Sequence, residues 1–183
     1  GQLLRKTGMS PDHLTILGIT FAVIASFAIG TGALRGGLAL VILAAVPDML
    51  DGALAKASGT SSQRGAFFDS VVDRVTDSVL FGGVAWYFAS EKDPHLVLLP
   101  MAIMGVSSLI SYERAKAEAL GLYAKGGLME RAERIVVLCI GLLFDSLLVP
   151  IMWIMLVLTV ITAIQRFVQV WRQAEVSSTT QKK

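Results

Sequence analysis

Five aspartates stand where an apolar chain has little use for them. Asp48 and Asp51 interrupt the apolar stretch Gly36–Ala57, and Asp69, Asp73 and Asp77 interrupt Gly65–Ser90. Residues three or four apart lie on one face of a helix. Asp48 and Asp51 therefore share a face on one helix, and Asp69, Asp73 and Asp77 share a face on the next. The link Ala57–Arg64 holds Ser58, Gly59, Ser61 and Ser62 and reads as a tight turn. Two antiparallel helices joined there bring both Asp pairs together near one end. Four carboxylates that close repel one another and cannot all stay ionised unaided. Divalent cations resolve this. Oxygen donors without His or Cys select Mg²⁺, Mn²⁺ or Ca²⁺ over Zn²⁺. Two such ions bridged by carboxylates suit phosphoryl chemistry. The competing reading is structural: an Asp inside an apolar helix pairs with Arg, as Asp73 can with Arg74, or caps a helix. Asp77, one turn further in, suits that role best.

The elements that must carry these carboxylates follow from composition. The chain has 183 residues, 54% apolar and 16% charged, with mean hydropathy +0.66. Ordinary soluble domains are nearer 45–50% apolar and about 25% charged. Disorder, a coiled coil and a disulfide scaffold are excluded. Cys139 stands alone, and two histidines do not make a His/Cys zinc cage. A net charge of +2 gives no reason to expect a nucleic-acid partner. A membrane-crossing helix needs about 20 mostly apolar residues. Thr15–Leu34, Pro94–Tyr112 and Ser146–Gln165 meet that without a charge, and Thr15–Leu34 is longer than the apolar core of a secretory signal. Gly36–Ala57, Gly65–Ser90 and the shorter Arg134–Val149 are further spans. The expectation is an all-α, polytopic membrane protein with six transmembrane helices. A short interfacial helix in the first ten residues precedes the first span. Residues 1–175 form a single membrane domain, and residues 176–183 form a polar tail.

Six spans put both termini on one side. Fourteen of the sixteen Lys and Arg residues fall on that side; Arg35 and Lys92 fall on the other. That bias sets both ends, and the carboxylate end of the helices, in the cytoplasm of a multi-pass cell-membrane protein. Five carboxylates facing lipid at mid-depth would cost roughly 12–17 kcal/mol on insertion scales. They must face one another, a cavity or a cation.

The stretch Asp48–Asp73 reads D-x-x-D-G-x-x-A-K-x8-G-x3-D-x3-D. It closely resembles the signature of the CDP-alcohol phosphotransferases, D-x-x-D-G-x-x-A-R-x8-G-x3-D-x3-D. Asp48, Asp51, Gly52, Ala55, Gly65, Asp69 and Asp73 match; Lys56 replaces an Arg, keeping the charge but losing the bidentate fork. The six-span topology fits too, so the resemblance covers essentially the whole chain. It implies displacement of CMP from a CDP-linked lipid by an alcohol hydroxyl. Asp48, Asp51, Asp69 and Asp73 would hold two divalent cations, Mg²⁺ or Mn²⁺, and Asp73 would take the alcohol proton. Asp51, Gly52, Ala55, Lys56 and Gly65 would form the CDP-lipid site, the small residues leaving room for the nucleotide. The resemblance also implies a homodimer among membrane lipids.

A second cluster follows the fourth span: Ser111, Arg114, Lys116, Glu118, Lys125, then Gly126, Gly127, Glu130, Arg131 and Arg134, with Arg166 ending the last span. Arg binds phosphate bidentately, so three Arg from three helices would form a pocket for a phosphorylated second substrate; anchoring to anionic headgroups is the competing reading of Arg114 and Arg134. Lys116, Lys125, Arg131 and Arg172 are explained by the positive-inside rule alone. The pattern is similar to the branch of the family that makes phosphatidylinositol phosphate from CDP-diacylglycerol and inositol 1-phosphate. On that resemblance Ser111, Arg114, Arg134 and Arg166 bind the inositol phosphate. Two alternatives stand beside it. A phosphatidylglycerol-phosphate synthase would also need a phosphate pocket, for glycerol 3-phosphate. An Asp-lined cation transporter would need a polar path to the far side, yet Leu40–Val46 and Val79–Ala89 carry no ionisable group.

Overall fold

The structure, a computed structural model, describes residues 11–45 and 63–180. Every regular element among them is helical. In chain order these are α1 (Pro11–Gly30), α2 (Leu34–Ala45), α3 (Gln63–Glu91), a 3₁₀ turn (Pro94–Val97), α4 (Leu98–Ala119), α5 (Arg131–Leu143) and α6 (Asp145–Thr180). The expected interfacial helix lies outside the described residues. The chain divides into two compact units, Gly1–Val97 and Leu98–Lys183.

Helix ends follow local chemistry. Beyond Gly30, Gly32 takes φ +81°. Its N–H donates to Ile29 O, and the N–H of Ala33 reaches back to Ala28 O. Gly121 (φ +70°) and Leu122 repeat the arrangement at the end of α4, donating to Glu118 O and Ala117 O. The left-handed residue costs glycine nothing and satisfies the last carbonyls. Asp93 starts the 3₁₀ turn, its carboxylate accepting from the N–H of His95. Phe144, in extended conformation, separates α5 from α6.

In the first unit α3 packs on α1. Gly83 admits the backbone of α1: a Cβ there would stand 2.6 Å from Ser26 O. Gly30 lies under the Trp86 indole, which meets Phe27 edge-on with ring centroids 5.5 Å apart. In the second unit α4 and α5 both pack on α6. The sequence leaves open which of Phe81, Trp86, Met152, Trp153 and Met155 pack and which face lipid. Phe81, Met152 and Met155 are buried, and Trp86 and Trp153 are exposed. Ile154, Val157, Val160, Ile164 and Phe167 extend the exposed apolar surface of α6. So much uncovered apolar side chain on one helix suits a hydrocarbon surrounding rather than water.

Among the described residues, two segments are long and apolar enough to cross a membrane, Pro94–Ala119 and Asp145–Glu175. The other expected spans fall short among the described residues for visible reasons. The apolar runs Thr15–Gly30 and Leu34–Ala45 are shorter. Helix α3 is interrupted by its own charges. The break at Phe144 leaves α5 with 13 residues, so the expected span Arg134–Val149 is divided between two helices. Helix α6 instead runs for 36 residues, through Thr180, so part of the expected polar tail is helical.

Three polar side chains on α6 hold the segment between α4 and α5. Gln173 accepts from the N–H of Tyr123 (3.0 Å) and donates to its carbonyl (2.6 Å). Thr162 Oγ1 accepts from the N–H of Met129 (2.9 Å), and Arg166 Nε donates to Gly126 O (3.0 Å). At 100° per residue these three positions fall within about 40° of one another, a single polar stripe. Gly126 and Gly127 both have positive φ, and a Cβ on Gly127 would collide with Thr162.

Gly83→Ala forces α3 away from α1 and should destabilise by about 1–3 kcal/mol. Gly82→Ala, where a Cβ meets open space, should leave the melting temperature in detergent unchanged or slightly raised. Thr162→Val keeps the shape but strands the buried N–H of Met129, at a cost of about 1–3 kcal/mol. Faster hydrogen exchange at the Met129 amide checks this.

Candidate functional site

Each unit carries one part of the expected chemistry. In the first, α3 presents Gly65, Asp69, Asp73 and Asp77 at four-residue intervals. Their surroundings grade along the helix. Asp69 is exposed, Asp73 is half-buried, and Asp77 is 4% exposed. Arg74 Nη2 meets Asp73 Oδ2 at 3.5 Å, the pairing that the sequence allows. A contact that long is a loose ion pair. Gly65 sits in the first turn of α3, half-buried and without a side chain to cover Asp69. Asp48, Asp51, Gly52, Ala55 and Lys56 lie outside the described residues. Among the described residues no three metal-ligating side chains cluster, and two of the four expected ligands are not among them. Asp69 and Asp73, one turn apart and offering hard oxygen donors alone, suit a divalent cation of the Mg²⁺ or Mn²⁺ kind.

In the second unit, the four residues expected at the acceptor phosphate differ sharply. Arg114, at the exposed end of α4, pairs with Glu118 one turn on, Nε to Oε1 at 3.0 Å. Ser111 is half-buried and donates to Ser107 O (3.0 Å). Arg134 is only 3% exposed, and its Nη1 donates to Met129 O at 3.3 Å. Arg166 is also buried, and each of its nitrogens is engaged. Nε goes to Gly126 O, Nη1 to Ile110 O (3.2 Å) and Nη2 to Glu130 Oε1 (2.7 Å). Ile110 adjoins Ser111 in the chain. The structure therefore gathers Arg134, Arg166 and the Ser111 turn of α4 around the 122–130 segment, while Arg114 points along its own helix.

Glu130 is the residue that sequence reasoning passed over. It stands at the N-cap of α5, yet its side chain makes no capping bond. Its Oε1 instead accepts from the N–H of Gly126 (3.1 Å) and from Arg166. Glu113 on α4 also feels the charge of Arg166, and its Oε2 is buried without a hydrogen-bond partner. The available signals were the paired glycines before Glu130 and the polar stripe of Thr162, Arg166 and Gln173 on an otherwise apolar helix.

Comparison with known proteins agrees with the motif. Residues 9–165 match the CDP-alcohol phosphatidyltransferase family. A phosphatidylinositol phosphate synthase of Mycobacteroides abscessus is 39% identical over 171 residues, covering 89% of this chain and 78% of the relative. One of Streptomyces avermitilis is 38% identical over 187 residues, covering 93% and 76%. The crystal structure of Mycobacterium tuberculosis phosphatidylinositol phosphate synthase with CDP-DAG bound superposes with a TM-score of 0.85 at 36% identity, covering 93% of this chain and 90% of that one. The same enzyme in complex with manganese and citrate also gives 0.85, at 35% identity, covering 93% and 86%. The family match covers most of the chain, and it includes the carboxylate signature and Arg134: the chain belongs to the CDP-alcohol phosphatidyltransferase family.

Proposed function

We propose that the chain transfers the phosphatidyl group of CDP-diacylglycerol to inositol 1-phosphate, giving phosphatidylinositol phosphate and CMP. The observation that carries this reading is the Asp48–Asp73 signature, with Asp69 and Asp73 one turn apart on α3. The choice of acceptor is supported by the relatives named phosphatidylinositol phosphate synthase. The buried Arg134 and Arg166 support a phosphorylated acceptor.

In this reaction a hydroxyl oxygen of the acceptor attacks the lipid-bearing phosphorus. The bond from that phosphorus to the CMP oxygen breaks. Asp73 accepts the hydroxyl proton. Two divalent cations held by Asp48, Asp51, Asp69 and Asp73 supply, when bound, the positive charge that offsets the diphosphate and the departing CMP. Asp51, Gly52, Ala55 and Gly65 give the nucleotide a close approach, and Lys56 holds its phosphate as a point charge. Ser111, Arg114, Arg134 and Arg166 hold the acceptor phosphate in different ways. Arg114 leaves an exposed i,i+4 pair worth only about 0.3–0.5 kcal/mol, so it can turn to the ligand at little cost. Arg134 and Arg166 are set in advance by backbone carbonyls. The reading runs six helices across the cell membrane with both termini and the site in the cytoplasm, as the distribution of Lys and Arg supports. It takes the working unit to be a homodimer.

The test is CMP release by purified protein from CDP-diacylglycerol. Release should require inositol 1-phosphate, stop with EDTA and return with Mg²⁺ or Mn²⁺. Asp69→Asn and Asp73→Asn should each lower kcat by roughly 10²–10⁴-fold. Release with glycerol 3-phosphate alone would overturn the acceptor and keep the carboxylate chemistry.

A further inference from the structure

The ligands of Arg166 divide into two kinds. Nε and Nη1 are bound to backbone carbonyls, at Gly126 and Ile110. Nη2 is bound to the side chain of Glu130, which is 44% exposed while the Arg166 side chain is 5% exposed. Glu113 adds negative field at Arg166 but makes no hydrogen bond to it. A buried guanidinium needs a counter-charge where it stands. Before substrate arrives, the Glu130 carboxylate provides one. A phosphate monoester presents the same chemistry, anionic oxygens that accept from a guanidinium N–H. Glu130 Oε1 therefore stands where a phosphate oxygen would bind, on the one Arg166 nitrogen whose present partner is a side chain.

We infer that Glu130 is a positioning residue that acts as a charge gate on Arg166: its carboxylate neutralises the guanidinium in the empty site and yields Nη2 to the phosphate of the acceptor. The inference rests on the proposed reaction for the identity of that acceptor. It has a consequence that a purely structural fastening would not have. The fastening needs only an acceptor oxygen, because Glu130 receives hydrogen bonds from Gly126 N–H and Arg166 Nη2. Glu130→Gln keeps an oxygen in that position and removes the charge that competes with phosphate. It also lowers the repulsion that an arriving dianion meets.

The experiment compares wild type with Glu130→Gln in CMP release, varying each substrate in turn. KM for inositol 1-phosphate should fall about three- to tenfold, the range expected when one competing charge-assisted bond is lost. KM for CDP-diacylglycerol should not change, and inorganic phosphate should inhibit the variant at correspondingly lower concentration. An unchanged or raised KM for the acceptor, with the Tyr123 and Met129 amides still protected from exchange, would overturn the gate and leave Glu130 a fastening. If the Gln variant loses that protection, Glu130→Asp replaces it. Its carboxylate is withdrawn from Nη2 by one methylene and should lower KM in the same direction; failure to do so also overturns the gate. If wild type uses glycerol 3-phosphate instead, the same comparison is made with that acceptor. If it releases CMP with neither, the proposed reaction has failed. Calorimetric titration of both proteins with inorganic phosphate then decides the gate separately: tighter binding by the variant sustains it, and equal binding overturns it.

Discussion

A charge buried among apolar side chains has to be neutralised where it stands, because little water reaches it there. Both units of this protein are arranged around that constraint. On α3 the carboxylates grade from exposed Asp69 through half-buried Asp73 to buried Asp77, so charge enters the helix bundle from one end. In the second unit the buried cation Arg166 receives two carbonyls and a carboxylate, drawn from the end of α4 and the segment before α5. The segment 122–130 is shaped by that demand: it must deliver Gly126 O and Glu130 Oε1 to a point fixed by α6.

The same constraint separates the two kinds of helix surface. Helix α6 exposes Trp153, Ile154, Val157, Ile164 and Phe167 on its outer side and spends its few interior polar residues in one stripe. Thr162, Arg166 and Gln173 each bind a backbone group of the 122–130 segment, and Thr162 satisfies the buried N–H of Met129. Because apolar side chains gain little by meeting each other in lipid, close approach between helices depends on small residues. Gly83 against Ser26 and Gly141 against Leu148 show it in the two units.

Much of this was legible in the chain. The carboxylate signature needs only helical periodicity and a count of residues, and the family match agrees with it. The all-helical character follows from composition. The glycines at 32 and 121 end α1 and α4, although the apolar runs themselves end at Leu34 and Tyr112. Boundaries were less legible. Asp145 interrupts the apolar run between α5 and α6, and the extended backbone at Phe144 sets the break one residue earlier. The three arginines expected at the acceptor phosphate read as one basic group in the sequence, yet the structure divides them: Arg114 is exposed on its own helix, and Arg134 and Arg166 are buried against the 122–130 segment.

The sequence by itself determined which side chains can do chemistry, their spacing on each helix, and the asymmetry of charge between the two ends. These are local or additive properties, readable from neighbours a turn or two apart. Only the tertiary structure decided what Arg166 does. Its three partners lie 36, 40 and 56 residues away, far beyond the reach of any periodicity. A guanidinium in a sequence is simply a cation. Whether it faces phosphate, lipid or the protein's own carbonyls is settled by which unpaired backbone groups the packing brings to it, and Glu130 acquires its place by the same accounting.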